Sequence, residues 1–196
     1  LELPETDKEV DPLPAWDVIY EECKKAEGEM QVAAVGPLTN IAVALLKYPE
    51  LKGLIKHLTI MGGAQTAGNH SPYGEFNIWA DPEAAQIVMD SGCPIRMIPL
   101  DATHHGGCIN SDESREFRAL GTALGKAVAD CVDHRILAYS HLQPMERLDS
   151  APIHDALAVC AVVHPEVITK SIFTRVDIDI SGGLADGQTI VDPRSY

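Results

Sequence analysis

The sequence predicts an α/β fold built on an open, mostly parallel sheet flanked by helices. Three observations carry that prediction. The short runs MQVAAV, HLTIM and PIRMIPL are almost unbrokenly apolar, as strands buried on both faces must be. Segments with apolar residues at helical spacing alternate with them, the order expected of strands joined by crossover helices. Finally, 196 residues with 45 % hydrophobic and 22 % charged side chains are ordinary for a globular chain, so residues 1–196 are expected to form a single domain.

The elements follow in order. The first dozen residues, LELPETDKEVDP, are acidic and proline-punctuated and read as a surface loop. Ala15 to Ala26 is an expected amphipathic helix, with Trp16, Ile19, Tyr20 and Cys23 on one face. The first strand ends at Val35, where GPLTN closes it. Thr39 is expected to cap the next helix, IAVALLKY, which stops before Pro49. HLTIM is the second strand, and a long glycine-bearing loop runs from Gly62 to about Trp79. Asp81 and Pro82 start a helix, Asp as the cap and Pro at the first helical position, and Gly92 stops it. PIRMIPL is the third strand, and ATHHGGCIN reads as a loop. Residues 111–141 read as two helices broken near Gly121, followed by a turn around Pro144. IHDALAVCAVV is one more helix. The alternation in SIFTRVDIDI and a short strand near Gln188 to Val191 suggest edge or hairpin strands.

Charge and cysteine usage narrow the function. Fifteen basic against 29 acidic residues give a net charge of −14, which repels phosphate backbones, so neither a nucleic acid nor an anionic membrane is an expected partner. No apolar run approaches the roughly 20 residues of a membrane-spanning helix, and no basic segment leads into an apolar one as in a signal peptide. Leu1 in place of an initiator Met points to processing or to a longer chain. Cys23, Cys93, Cys108, Cys131 and Cys160 are odd in number and widely spaced, with no C-x-x-C pair. That pattern suits free thiols in a reducing, cytoplasmic setting.

In open α/β sheets ligands sit beyond the carboxyl ends of the strands, so the loops beginning at Val35, Met61 and Leu100 are the places to search. The densest constellation spans Met61 to Ala85. Its glycines let backbone approach a ligand, and Asn69, Glu75 and Asn77 place amides and a carboxylate in one loop, groups able to hydrogen-bond the hydroxyls of a sugar. Taken singly, Asn69 can close an Asx turn and Glu75 can cap a helix. As a block after a core strand they favour a binding site. The second constellation is His154 and Asp155 at the start of a helix. Asp155 there is ordinarily a cap suited to the helix dipole and His154 a surface residue; the functional alternative makes them a general acid and an oxygen ligand for a hard cation. His104, His105, His134 and His141 match no common zinc spacing, and His104 and His105 read as pocket-rim or exposed residues. MGGA lacks the G-x-G-x-x-G spacing of a dinucleotide site.

GPLTNIAVAL, MGGA followed by GN, EFNIWADPEAA, PLDAT and HDALAV occur in an order and spacing that resemble the inosine–uridine-preferring nucleoside hydrolases over essentially the whole chain. The resemblance implies a Rossmann-like α/β fold, a bound Ca2+ ion, a ribonucleoside substrate and a homodimeric or homotetrameric assembly. It implies that Met61, Asn69, Glu75, Phe76 and Asn77 hold the substrate, that His154 protonates the departing base, and that Asp155 and the Val35 carbonyl bind the metal. Many relatives carry Thr at the position of Val35, a change that a carbonyl ligand tolerates. The family's D-x-D-x-x-x-D-D cluster has no counterpart here, since Asp7, Asp11 and Asp17 are scattered. The chain therefore looks like the central and later part of such a hydrolase, truncated at the N-terminus. A non-catalytic nucleoside- or sugar-binding relative is the alternative. Ala185 and Asp186 stand where relatives often have a Thr-Arg pair.

Overall fold

The computed structural model describes residues 5–143, 145–192 and 194. In chain order the elements are α1 (Ala15–Lys25), β1 (Met30–Ala34), α2 (Thr39–Lys47), β2 (Ile55–Met61), α3 (Phe76–Trp79), α4 (Pro82–Asp90), β3 (Ile95–Ile98), α5 (Leu100–Gly106), β4 (Cys108–Asn110), α6 (Ser111–Ala119), α7 (Ala123–Leu142), β5 (Ser150–Pro152), α8 (His154–Val163), β6 (Val176–Ile178) and β7 (Thr189–Val191). The α/β class with a parallel sheet stands. The turn expected around Pro144 lies outside the described residues.

The chain forms two compact units, one from residues 11–101 and 155–196, the other from residues 102–154 with the stretch before Asp11. In the larger unit β1, β2 and β3 form a parallel sheet with β2 central. Leu58 and Ile60 of β2 share a buried cluster with Ile41, Ala44 and Leu45 of α2, Ala84, Ala85 and Val88 of α4, and Cys23 of α1. Each fully buried Leu, Ile or Val among them contributes about 1.5–3 kcal/mol. Asp81 caps α4 through the Ala84 amide (3.1 Å), as its sequence predicts. Thr39 does not cap α2: it is already the first helical residue, and its hydroxyl donates to the Asp81 carboxylate instead. β3 is confined to four residues because Pro94 and Pro99, which bracket it, have no N–H to offer the ladder. Arg96 of β3 donates from Nη1 to the Ala161 carbonyl of α8 (2.9 Å).

The strand expected across SIFTRVDIDI shrinks to β6, which pairs antiparallel with β7. Residues 168–175 find no ladder among the described residues. The loop between these strands passes directly over α3. A Cβ on Gly187 would lie 2.7 Å from the Trp79 Cα, and the Gly187 backbone has φ +78°. Gly187→Ala is therefore expected to cost about 2 kcal/mol or more, read as a lowered denaturation midpoint at constant slope.

In the smaller unit α6 and α7 lie side by side, broken as expected around Gly121. Val132, Ile136 and Tyr139 of α7 pack with Ala151 of β5 in its core. Ser114 donates to Asp133 (2.5 Å), and Arg118 bridges Asp130 and Asp133 (2.7 and 2.8 Å). The stretch ATHHGGCIN is not a loop. Its first half completes α5 and its second forms β4, which pairs antiparallel with β5. Too few apolar residues lie in that stretch for periodicity to reveal either element. All five cysteines are free thiols, and among the described residues no helix is long and apolar enough to cross a membrane.

Candidate active site

The carboxyl ends of β1 and β2 leave the sheet together. Ala34, the last residue of β1, pairs with Ile60, and Met61 ends β2 opposite Ile98 of β3, so Val35 and Met61 stand at the carboxyl ends of neighbouring strands. Val35 is 38 % exposed, whereas Met61 is buried. Beyond Met61 the chain is organised around Glu75, only 2 % exposed. The Glu75 carboxylate accepts the backbone N–H groups of Gly63 (3.0 Å), Asn77 (3.0 Å) and Ile78 (3.2 Å), thereby capping α3 and tying it to the end of β2. Burial pushes its pKa up, as does the charge of Asp155, against the pull of the three amides. The helix cap and the binding block were alternatives for this residue in the sequence; the geometry shows the cap.

The two asparagines have unambiguous orientations because one partner of each is fixed in role. Asn69 Oδ1 accepts the Phe76 N–H (2.9 Å), which leaves its NH2 group to donate. Asn77 Nδ2 donates to the Met61 carbonyl (3.0 Å) and approaches its sulfur (3.3 Å), which leaves its oxygen to accept. Met61, Asn69, Glu75, Phe76 and Asn77 are thus one hydrogen-bonded assembly offering a donor and an acceptor, the complement of sugar hydroxyls. Phe76 is 49 % exposed beside them. Asp101 holds the start of the same loop, accepting from the Gln65 amide (2.7 Å) and the Thr66 hydroxyl (2.6 Å). Burial opposes its ionisation, but the Thr66 hydroxyl and the backbone amides outweigh that and hold its pKa low.

Asp155 is exposed in the first turn of α8, and its charge is felt at Glu75. With the Val35 carbonyl it supplies hard oxygen, the right donor chemistry for calcium, which takes six to eight such ligands. Among the described residues no cluster of three His, Cys, Asp or Glu side chains could hold a metal ion. The donors present fit calcium in kind and fall short in number.

His154, the residue before Asp155, is described within the smaller unit. Its Nδ1 lies 2.7 Å from Thr103 Oγ1 and its Nε2 lies 3.1 Å from the Tyr139 hydroxyl. Arg135, one turn before Tyr139 on α7, donates from Nη2 to the phenol oxygen (3.3 Å) and stacks its guanidinium 5.0 Å from the ring centroid. Both ring nitrogens of His154 thus lie within hydrogen-bond reach of a hydroxyl, and each of those hydroxyls can donate or accept. Burial, followed by the nearby His104 and Arg135, lowers the His154 pKa to about 4, so the ring is neutral at pH 7. Burial raises the Tyr139 pKa, so the phenol keeps its proton. The half-buried His104 ring is tilted 5.5 Å from that of His154, while His105 is exposed.

Tyr139, Thr103, Arg135 and Asp101 carried no role in the sequence reading. Asp101 and Thr103 stand inside the PLDAT motif, and Arg135 and Tyr139 have i, i+4 spacing on α7, but nothing local joins either pair to His154 or to the Met61 loop.

The low His154 pKa has a sign. Between pH 6.5 and about 4 the unfolded chain carries a proton there and the folded one does not. Stability therefore falls on acidification through this window, by at most about 1.4 kcal/mol per pH unit, and levels off below it. Denaturation of the protein and of His154→Gln between pH 7 and 4.5 is expected to show a steeper loss in the parent. Parallel curves would contradict the assignment.

A family model described as inosine-uridine preferring nucleoside hydrolase matches residues 1–196. The pyrimidine-specific ribonucleoside hydrolase RihA of Shewanella woodyi is 36 % identical over 180 residues, covering 92 % of this chain and 56 % of that protein. RihA of Klebsiella pneumoniae subsp. pneumoniae is 37 % identical over 169 residues, covering 86 % and 53 %. Among solved structures, a purine-preferring ribonucleoside hydrolase from Gardnerella vaginalis superposes with a TM-score of 0.89 at 36 % identity, over 98 % of this chain and 60 % of that one. The plant nucleoside hydrolase PpNRh1 follows with 0.86 at 25 % identity, covering 95 % and 57 %. The chain spans a little over half the length of the curated relatives it matches. A match over its whole length, joined to the EFN-x-x-x-DPEAA block that builds the Glu75 assembly, places this chain in the inosine-uridine preferring nucleoside hydrolase family.

Proposed function

We propose that the protein hydrolyses the N-glycosidic bond of ribonucleosides, releasing free base and ribose. The observation that carries this reading is the assembly at the end of β2 in a member of this family: Asn69 left with a donor, Asn77 with an acceptor, both locked by backbone partners before any ligand arrives. Such preorganisation spares the ordering cost of binding. In the reaction the ribosyl C–N bond breaks, the water oxygen adds to the anomeric carbon, and a proton goes to the base nitrogen. The transition state is oxocarbenium-like, as in glycoside hydrolysis, and the anionic Glu75 adds a stabilising field near the sugar.

His154 serves the leaving base, as part of a neutral His154–Tyr139 pair rather than as a stored imidazolium. An imidazolium donor with a pKa near 4 would make kcat/KM rise tenfold per unit of acidification from pH 8 to 5. The neutral pair predicts no such rise, and a pH–rate profile decides between them.

Calcium belongs to the same reading. Val35 and Asp155 would contribute to holding the ion, whose part when bound is to engage the ribose diol and activate water. Calorimetric titration of the 196-residue chain is expected to show weak calcium binding, in keeping with the few donors among its described residues. Tight binding would contradict this account of the metal site. A second reading rests on the preorganised asparagines alone, a protein that binds nucleosides or sugars without turning them over. We further infer a cytoplasmic homodimer or homotetramer, supported by the free thiols and by the exposed apolar side chains Leu142, Leu148, Phe173 and Leu184.

The test is direct. Full-length protein supplied with inosine and with uridine is expected to release free base and ribose, measured by base chromatography and a reducing-sugar assay. Binding of a ribose-like inhibitor without release from either nucleoside would select the binder; neither binding nor release would end both readings.

A further inference from the structure

One part of the sugar-binding loop is anchored only at its end, where the buried Gly74 forms an isolated β-bridge with Gln188. Residues 68–74 close on themselves: the Gly68 amide donates to the Pro72 carbonyl (3.2 Å), the His70 amide to the Gly74 carbonyl (3.1 Å), and the Ser71 hydroxyl accepts the Gly74 amide (2.8 Å). The closure is tight enough that a Cβ on Gly68 would lie 2.3 Å from the Gly74 carbonyl oxygen. Yet Asn69, His70, Pro72 and Tyr73 are all exposed, so little buried apolar surface holds this loop down. A self-closed exposed loop can still shift as a body, carrying Asn69 away from Asn77.

Besides the bridge at Gly74, two contacts nearer the tip of the loop oppose that shift. One is the hydrogen bond from the Phe76 amide to Asn69 Oδ1 (2.9 Å). The other is a ring stack: the His70 imidazole lies 3.6 Å from the Trp79 ring centroid at an interplanar angle of 26°, with the Phe76 ring 5.7 Å away and tilted. Trp79 is itself fixed from behind, since Gly187 and Gly74 pack so closely on it that a Cβ on either would meet it at 2.7 to 3.2 Å. His70 thus reaches from the tip of the loop to a braced aromatic residue on α3, the same four-residue turn that Glu75 caps and that carries Asn77.

We propose that His70 is a positioning residue for ribose recognition: stacked on Trp79, it clips the 68–74 loop to α3 and so fixes the spacing between the Asn69 donor and the Asn77 acceptor. The role depends on ring area, not on imidazole chemistry; offset aromatic stacking supplies the attraction. The inference rests on the hydrolase reading for its substrate and on the structure alone for the clip.

His70→Ala and His70→Phe separate these parts. In His70→Ala, amide hydrogen exchange at Phe76 is expected to accelerate about tenfold, and KM for inosine and uridine to rise fivefold or more with kcat within twofold of the parent. His70→Phe is expected to restore both quantities to within twofold. An unchanged KM in His70→Ala overturns the proposal, and so does a His70→Phe variant as impaired as the alanine, which would show the imidazole itself acting on the ligand. Exchange needs no substrate. If the parent protein turns over no ribonucleoside, faster exchange in His70→Ala restored by phenylalanine upholds the clip while the hydrolase reading fails, and unchanged exchange overturns the clip as well.

Discussion

His154→Ala is expected to slow hydrolysis of inosine and uridine by about 10²–10⁴-fold, the usual contribution of a positioned proton donor. The loss should be much smaller on a riboside whose leaving group departs as a stable anion, such as p-nitrophenolate, because that group needs no proton. Tyr139→Phe should reproduce the same pattern less severely. It removes the hydroxyl that contacts His154 Nε2 but keeps the ring that packs with Val132 and Ile136. Kinetics on the two substrate types check this directly. Equal losses on both would remove His154 from the proton-donating role, and a Tyr139→Phe enzyme with parental rates would reduce the phenol to packing. The discrimination matters because a half-buried neutral imidazole between Thr103 and Tyr139 has the geometry of a structural histidine as well as of a relay. Only the dependence on leaving group separates the two.

The sequence made the sheet legible because its strands are short apolar runs, although only the central β2 is largely buried on both faces, while β1 exposes Gln31 and Ala33. An apolar run such as IKHLTIM, with Leu58, Thr59, Ile60 and Met61 all buried, has few other places to go. Asp81-Pro82 and Gly92 announced α4 by local stereochemistry alone, and the structure starts and stops the helix there. Elements whose stability comes from elsewhere were not legible. α5 holds few apolar residues, and its buried Thr103 is placed by His154, 51 residues away. The same division runs through the site. Asn69, Glu75 and Asn77 fall within nine residues of one another, so their types and spacing suggested a cluster. The partners of His154 lie 15 and 51 residues away on other elements, and no local pattern points to them. Glu75 is the intermediate case: both of its candidate roles could be read in advance, but only the three converging amides show how the carboxylate is used.

Those amides make Glu75→Ala the most damaging single change expected in the larger unit. The substitution leaves the N–H groups of Gly63, Asn77 and Ile78 without their acceptor in a place where Glu75 itself was 2 % exposed. Each unsatisfied buried donor costs about 1–3 kcal/mol, so a loss of about 3–5 kcal/mol is expected even if water enters to satisfy part of the set. Glu75→Gln keeps one acceptor oxygen and the side-chain shape, and should lose about 1–2 kcal/mol. Burial raises the cost of keeping this carboxylate charged, so removing the charge while keeping an acceptor oxygen is the smaller penalty. The two variants therefore rank by acceptor count. If charge were what mattered, Glu75→Gln would fall as far as Glu75→Ala. Denaturant titration gives the ranking, and ribose-analogue calorimetry adds the functional half. With α3 released from the end of β2, the Asn77 amide no longer has a fixed relation to the Met61 carbonyl. Ligand affinity in Glu75→Ala should fall by tenfold or more at temperatures where the variant is still folded. Parental affinity in a folded Glu75→Ala protein would show that Asn77 is held without the cap, and would move the organising role from Glu75 to the strand end itself.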